Sequence, residues 1–105
     1  MEYRKIVVYV PLESADAVRE AIGRAGGGKI GNYSFCSFSS VGVGRFLPEK
    51  GARPAVGSVG KLEQVKEERI EITCKQEVVN DVIVAIKHAH PYEEPVIDLY
   101  ATELS

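Results

Sequence analysis

RIEITCKQEVVNDVIVAIKHA, Arg69 to Ala89, is the stretch that decides the fold. Its opening Ile70-Glu71-Ile72 alternates apolar and charged residues, as a half-buried strand does. Thr73-Cys74-Lys75-Gln76 fits the S/T-x-x-E/Q capping box that begins a helix. Val78, Val79, Val82, Ile83, Ile86 and Ala89 then recur at three- and four-residue steps, which lays one apolar stripe along that helix. Val96 to Tyr100 (VIDLY) follows as a closing strand.

The same plan occurs earlier in the chain. Displaced by 64 residues, Ile6 falls on Ile70, Val8 on Ile72, Asp16 on Asn80, Val18 on Val82, Ala21 on Ala85 and Ile22 on Ile86. Lys5 to Val10 (KIVVYV) is rich in β-branched residues and reads as a central strand, stopped by Pro11. Ser14 stands where it can cap the next helix. There Ala15, Val18, Ala21, Ile22 and Ala25 form the apolar face, and Gly26, Gly27 and Gly28 end it. Asn32 to Ser40 (NYSFCSFSS) alternates aromatic and small residues and is expected to be the second strand. Two β-α-β units in one short chain predict an α+β, ferredoxin-like βαββαβ sandwich, with residues 1–105 forming one domain.

The halves are separated by an insertion. Val41 to Phe46 is expected to extend the preceding strand into an extra hairpin. Leu47 to Lys61 carries Pro48, Gly51, Pro54, Gly57 and Gly60 and reads as a loop. A loop of this length in a small domain is generally functional or ordered by a neighbour.

The bulk properties narrow the function. A net charge of −2, with 13 basic residues scattered along the chain, gives no nucleic-acid footprint. No apolar run reaches membrane length, and the N-terminal MEYRKIVVYVP has neither the h-region nor the cleavage site of a signal peptide. The expected location is the cytoplasm, without membrane or nucleic-acid partners. The two cysteines, Cys36 and Cys74, are far apart and sit among β-forming residues, so reduced, packed thiols are expected.

Two phosphate-binding patterns match by letter and fail by context. Gly26 to Gly31 spells G-x-G-x-x-G, and Gly23 to Lys29 spells G-x-x-x-x-G-K. Both need a strand before the glycines and a helix after them, whereas here a helix precedes and a strand follows. HAHPYEEP, His88 to Pro95, is the densest chemistry in the chain. His88 falls in the last turn of the second helix, and His90 precedes a proline, where the helix should end. The two histidines do not share a helical face, and Glu93 and Glu94 point to opposite sides of an extended chain. The segment is therefore either a connector or a partial metal site using His90 and one glutamate. No nucleophile elbow or repeated carboxylate pair is present, and an enzyme is not expected. Arg45, Lys50, Arg53 and Lys61 alternate with glycines in the insertion, which suits either solvated surface or the capture of an anionic ligand.

Three blocks carry a family resemblance: GNYSFCSFSSVGVGRF, GARPAVGSVGKLEQVKEERIE and HAHPYEEPVIDLY. They resemble the inserted middle domain of some bacterial Nif-three-like (NGG-one-interacting-factor) proteins, in the same order and over nearly the whole chain. The H-P-Y-E-x-P block is also similar to that of the CutA divalent-cation-tolerance proteins. Those proteins and the nitrogen-regulatory P-two proteins are ferredoxin-like trimers. The resemblance implies a free-standing version of the inserted domain. The flanking halves that supply a two-metal site in the long family members are not matched, so a hydrolase role does not carry over.

The blocks contain Asn32, Tyr33, Cys36, Gly42, Gly44 and His90 through Pro95. The expectation is a homotrimeric regulatory or binding module. A divalent metal, copper or zinc, would be held at subunit clefts by His90, Glu93, Glu94 and Cys36. A small ligand would be held by Asn32, Tyr33, Arg45, Arg53 and Tyr92, and loop 47–62 would be available to a protein partner. The alternative is a purely structural or protein-interaction domain.

Overall fold

The computed structural model of the chain describes residues 2–105. Four strands and two helices follow the order β1 (Tyr3–Pro11), α1 (Ala15–Arg24), β2 (Phe38–Phe46), β3 (Glu63–Lys75), α2 (Val79–Ala89) and β4 (Ile97–Thr102). The strands form one antiparallel sheet in the order β2-β3-β1-β4. This is the ferredoxin-like arrangement expected from the duplicated pattern.

The duplication is exact in the first part of each half. β1 ends at Pro11 and β3 at Lys75, 3-10 turns follow at Leu12–Ser14 and Gln76–Val78, and the helices start at Ala15 and Val79. Equivalent residues do equivalent work: Val18 and Val82, and Ile22 and Ile86, are all buried between helices and sheet. From the strands, Ile6, Val8, Val10, Ile70, Ile72 and Cys74 complete this core. Burying each such aliphatic side chain contributes about 1.5–3 kcal/mol before chain entropy is counted.

The helix starts differ from the sequence expectation. Neither Ser14 nor the Thr73–Gln76 box caps a helix. Ser14 makes no side-chain cap bond, and Thr73 lies inside β3, paired with Lys5. The 3-10 turns explain this. The N–H groups of Ala15 and Val79 donate to the carbonyls of Leu12 and Gln76, so backbone acceptors serve donors at the helix entrance. The α1 exit is as expected: Gly27 N–H donates to Ile22 O (2.9 Å) and Gly26 N–H to Gly23 O (3.1 Å), with Gly26 at φ 98°. That is the bonding of a Schellman cap.

The second strand is displaced from its expected position. Of Asn32 to Ser40, only Phe38 to Ser40 belong to β2, which instead continues through the Val41–Phe46 segment. The preceding residues fold locally. Ile30 and Tyr33 exchange backbone hydrogen bonds of 2.9 Å, and Cys36 N–H donates to Gly28 O. Phe35 adopts a left-handed φ of 60°, which breaks strand geometry. The hairpin expected from residues 41–46 is the outward continuation of β2 and β3. Glu63 to Lys66 pair with β2 alone, so this arm projects from the rest of the fold, and the described residues together extend 46 × 23 × 21 Å. At its end loop 47–62 is held by Gly60 N–H donating to Pro48 O at 2.8 Å.

Both helices pack on one face of the sheet. The other face carries Phe38, Glu71, Val7 and Asp98 in one cross-strand row, and Ser40, Arg69 and Tyr9 in the next. Glu71 accepts from Lys5 (3.5 Å) and Arg69 (2.9 Å) there, and Phe38 stands 68% exposed. No described helix is long and apolar enough to cross a membrane.

Candidate functional site

The site is built where α2 hands over to β4. His90 leaves helical geometry (φ −79°, ψ 136°), as a residue before proline must, while its N–H still closes the helix on Ile86 O at 2.8 Å. β4 first pairs with β1 at Ile97 opposite Val8, leaving Tyr9 without a partner from β4. The His90 ring fills that place. Its Nε2 lies 2.7 Å from Tyr9 O, and its Nδ1 accepts the Tyr92 N–H at 3.1 Å. A carbonyl on one side and an N–H on the other define the neutral, Nε2-protonated tautomer. Burial pulls the His90 pKa below its ordinary value, opposed by the Tyr9 carbonyl and the charge of Glu67.

Tyr92 is fixed by the same turn. Its ring packs against His90 (centroids 4.9 Å apart) and Phe46 of the arm (5.8 Å), both at tilted angles favourable for aromatic pairs. Its hydroxyl donates to Glu67 Oε2 at 2.6 Å. Burial, then the hydrogen bond and the charge of Glu67, hold the phenol well above its usual pKa, so it remains a donor at neutral pH. Glu67, on β3, is itself only 7% exposed. The carboxylate reaches this position because Gly44 on β2 has no side chain to occupy the space.

Tyr9, Glu67 and Tyr92 form the floor of a cleft of about 800 Å³. One wall is the arm and its loop, from Gly44 to Val56, and the other is Glu93, Glu94 and Val96. The walls are tied together by Arg53 N–H, which donates to Glu93 Oε1 at 3.0 Å. Thus the long insertion and the HPYEEP block, distant in sequence, enclose a single space. An enclosed space with a hydrogen-bonded phenol–carboxylate pair at its floor is an arrangement that can hold a small ligand.

The expected site residues divide into two groups. Arg45, Tyr92, Glu93 and Glu94 line the cleft, Arg53 touches its wall through the main chain, and His90 lies behind Tyr92. Asn32, Tyr33 and Cys36 belong to the α1–β2 connector, where Cys36 is docked on Gly28. Gly28 in turn bonds to Thr73, four strand residues from Arg69, the partner of Tyr9. That spacing is on the order of 13 Å along the sheet. Among the described residues no three His, Cys, Asp or Glu side chains converge as a metal would require. Glu67 was not anticipated. In KEERIE it is one charged strand residue among several, and its only signal is the pair of glycines two apart on the facing strand.

No protein-family model matches the chain. It is 50% identical over 97 residues to the Mycobacterium bovis protein named GTP cyclohydrolase 1 type 2 homolog, covering 92% of this chain and 26% of that protein. The solved Bacillus cereus protein related to NIF3 matches with a TM-score of 0.85 at 46% identity, over 98% of this chain and 26% of that one. The periplasmic divalent cation tolerance protein CutA from Archaeoglobus fulgidus gives a TM-score of 0.72 at 19% identity, over 98% of this chain and 86% of that one. At that identity the likeness is one of fold. The chain spans about a quarter of the length of the curated relatives it matches.

Proposed function

Because the chain is a homologue of a CutA-like segment of the Nif-three-like proteins, we propose that it is a non-catalytic, homo-oligomeric binding module. The observation that carries this reading is the cleft: a pre-formed space lined by both apolar and charged side chains, with the Tyr92–Glu67 pair at its floor. Oligomerisation is supported by the sheet face that neither helix covers, with its exposed Phe38 and Tyr100 beside self-complementary charges. A trimer is what the resemblance to CutA and the P-two proteins implies. Two unpaired cysteines suit a reducing compartment such as the cytoplasm.

A copper or zinc ion on His90, Glu93, Glu94 and Cys36 does not fit within one chain, because Cys36 stands apart and the Nδ1 lone pair of His90 is engaged by Tyr92. Such a site needs ligands from a second copy. Calorimetric titration with metals, amines, anions and nucleotides tests the binding reading, with light scattering to give the mass. Heat that disappears on Tyr92→Ala supports it; silence from every probe up to millimolar concentration sinks it.

The second reading is a structural or interaction domain, in which loop 47–62 meets a protein partner. It is favoured by the fact that both His90 nitrogens and the Tyr92 hydroxyl are satisfied internally. Under that reading Tyr92→Ala changes assembly, and no small ligand is taken up.

A further inference from the structure

The charge inside the cleft points to the chemistry of its occupant. Its lining carries Glu49, Glu67, Glu93 and Glu94 against Arg45 and Lys50. None of these six is ion-paired among the described residues, although other carboxylates of the chain are. Glu67 is the decisive one. Its residue is more than nine-tenths buried and accepts one hydrogen bond, from Tyr92 Oη, while the neighbouring His90 is neutral. A desolvated carboxylate with no cation beside it is costly, and an incoming positive charge removes that cost. The aromatic residues Tyr9, Phe46 and Tyr92 line the same space, and aromatic rings attract cations.

We infer that the cleft binds an organic cation, a guanidinium or alkylammonium group on an apolar stem, with its charge set against Glu67 and the rings around it. The inference rests on the reading of this cleft as a ligand site. An anion would meet four carboxylates against two basic groups. A bare metal ion would find no three His, Cys, Asp or Glu side chains converging among the described residues, too few ligands for its coordination shell. The stem would lie along Leu47, Pro48 and Val56.

Calorimetric titration of the intact chain with agmatine, and separately with a short arginine-containing peptide, tests this against two anionic controls, phosphate and citrate. The two cationic arms separate a free amine from a side chain borne by a partner. Glu67→Gln keeps an acceptor for Tyr92 and should weaken the cationic probe at least ten-fold. Phe46→Leu keeps the charge and should weaken it roughly three-fold by removing one π-face. Circular dichroism confirms that each variant is folded, and Phe46→Leu carries the test if Glu67→Gln is not. Cationic binding unchanged by the variants, or binding of the anions alone, overturns the inference while leaving the ligand-site reading intact. Silence from all four probes overturns the inference too, and the ligand-site reading falls with it only if metals and nucleotides are also silent.

Discussion

The carboxylate of Glu67 occupies the place that a side chain at residue 44 would need: a Cβ built on Gly44 would meet Glu67 Oε1 at 1.9 Å. The glycine is required here for space, since Gly44 is not among the residues with positive φ. Because the obstructing atom ends a flexible side chain, Gly44→Ala should leave the fold intact and push the carboxylate away from Tyr92. The expected cost is about 1–2 kcal/mol, the value of a hydrogen bond to a charged group. Chemical unfolding measures it, and a double-mutant cycle gives it a cause. In a Tyr92→Phe background Gly44→Ala should cost much less, whereas equal costs would mean that the two residues are uncoupled.

Tyr92→Phe removes the hydroxyl and keeps the ring between His90 and Phe46. It leaves Glu67 buried without its only donor among the described residues, so a loss of about 1–3 kcal/mol is expected at neutral pH. The phenol has its pKa raised by folding. Its contribution is therefore complete below the unfolded value of about 10 and is lost as pH rises above it. Of the five tyrosines, Tyr92 should ionise only as the chain unfolds at alkaline pH. Ultraviolet titration should show that late step in the parent and not in Tyr92→Phe. A parent without such a step would place Tyr92 in solvent.

How much of this was legible follows from what each signal encodes. The 64-residue offset found β1, β3 and both helices because burial against one core imposes periodic apolar residues on equivalent elements. The strand placed at Asn32 to Ser40 failed because its alternation of aromatic and small residues had another cause. Phe35 packs on Gly23, where a Cβ would lie 2.0 Å from its ring, and Cys36 packs on Gly28. The capping residues failed because the 3-10 turns supplied acceptors that a side-chain motif cannot reveal. HPYEEP was readable as a break, yet its meeting with the arm depends on Glu67 and Gly44, which strand register brings together as diagonal neighbours, Glu67 opposite Gly42 and Gly44 opposite Val65, and which spacing in the chain does not reveal.

Assembly through the uncovered sheet face is tested at Phe38. Its ring is 68% exposed in the single chain, so Phe38→Lys removes no intrachain packing of consequence. The variant should unfold within about 0.5 kcal/mol of the parent, as exposed substitutions generally do. Its mass by light scattering should fall towards that of a monomer. An unchanged oligomer would move the interface elsewhere, and a monomeric parent would remove the oligomeric reading of this chain altogether.

His90 gives the sharpest pH dependence. Its fold-imposed state is neutral, with Nε2–H donating to Tyr9 O and Nδ1 accepting from Tyr92 N–H. Protonating Nδ1 replaces that acceptor with a donor facing a donor. Burial is the main cause lowering its folded pKa below 6.5, so below that value the unfolded chain takes up the proton first. Stability from this group is therefore full above about pH 6.5. It declines as pH falls towards the folded pKa, by at most about 1.4 kcal/mol per pH unit. The nearby Glu67 and the Tyr9 carbonyl oppose the shift and narrow that window. Chemical unfolding from pH 8 to pH 5 should show the decline in the parent and a flatter profile in His90→Gln, which is less stable at pH 8. In nuclear magnetic resonance, the His90 imidazole should titrate below its ordinary range and show the Nε2–H tautomer. A ring that protonates above pH 6.5 would contradict the hydrogen-bond pattern on which the whole connector rests.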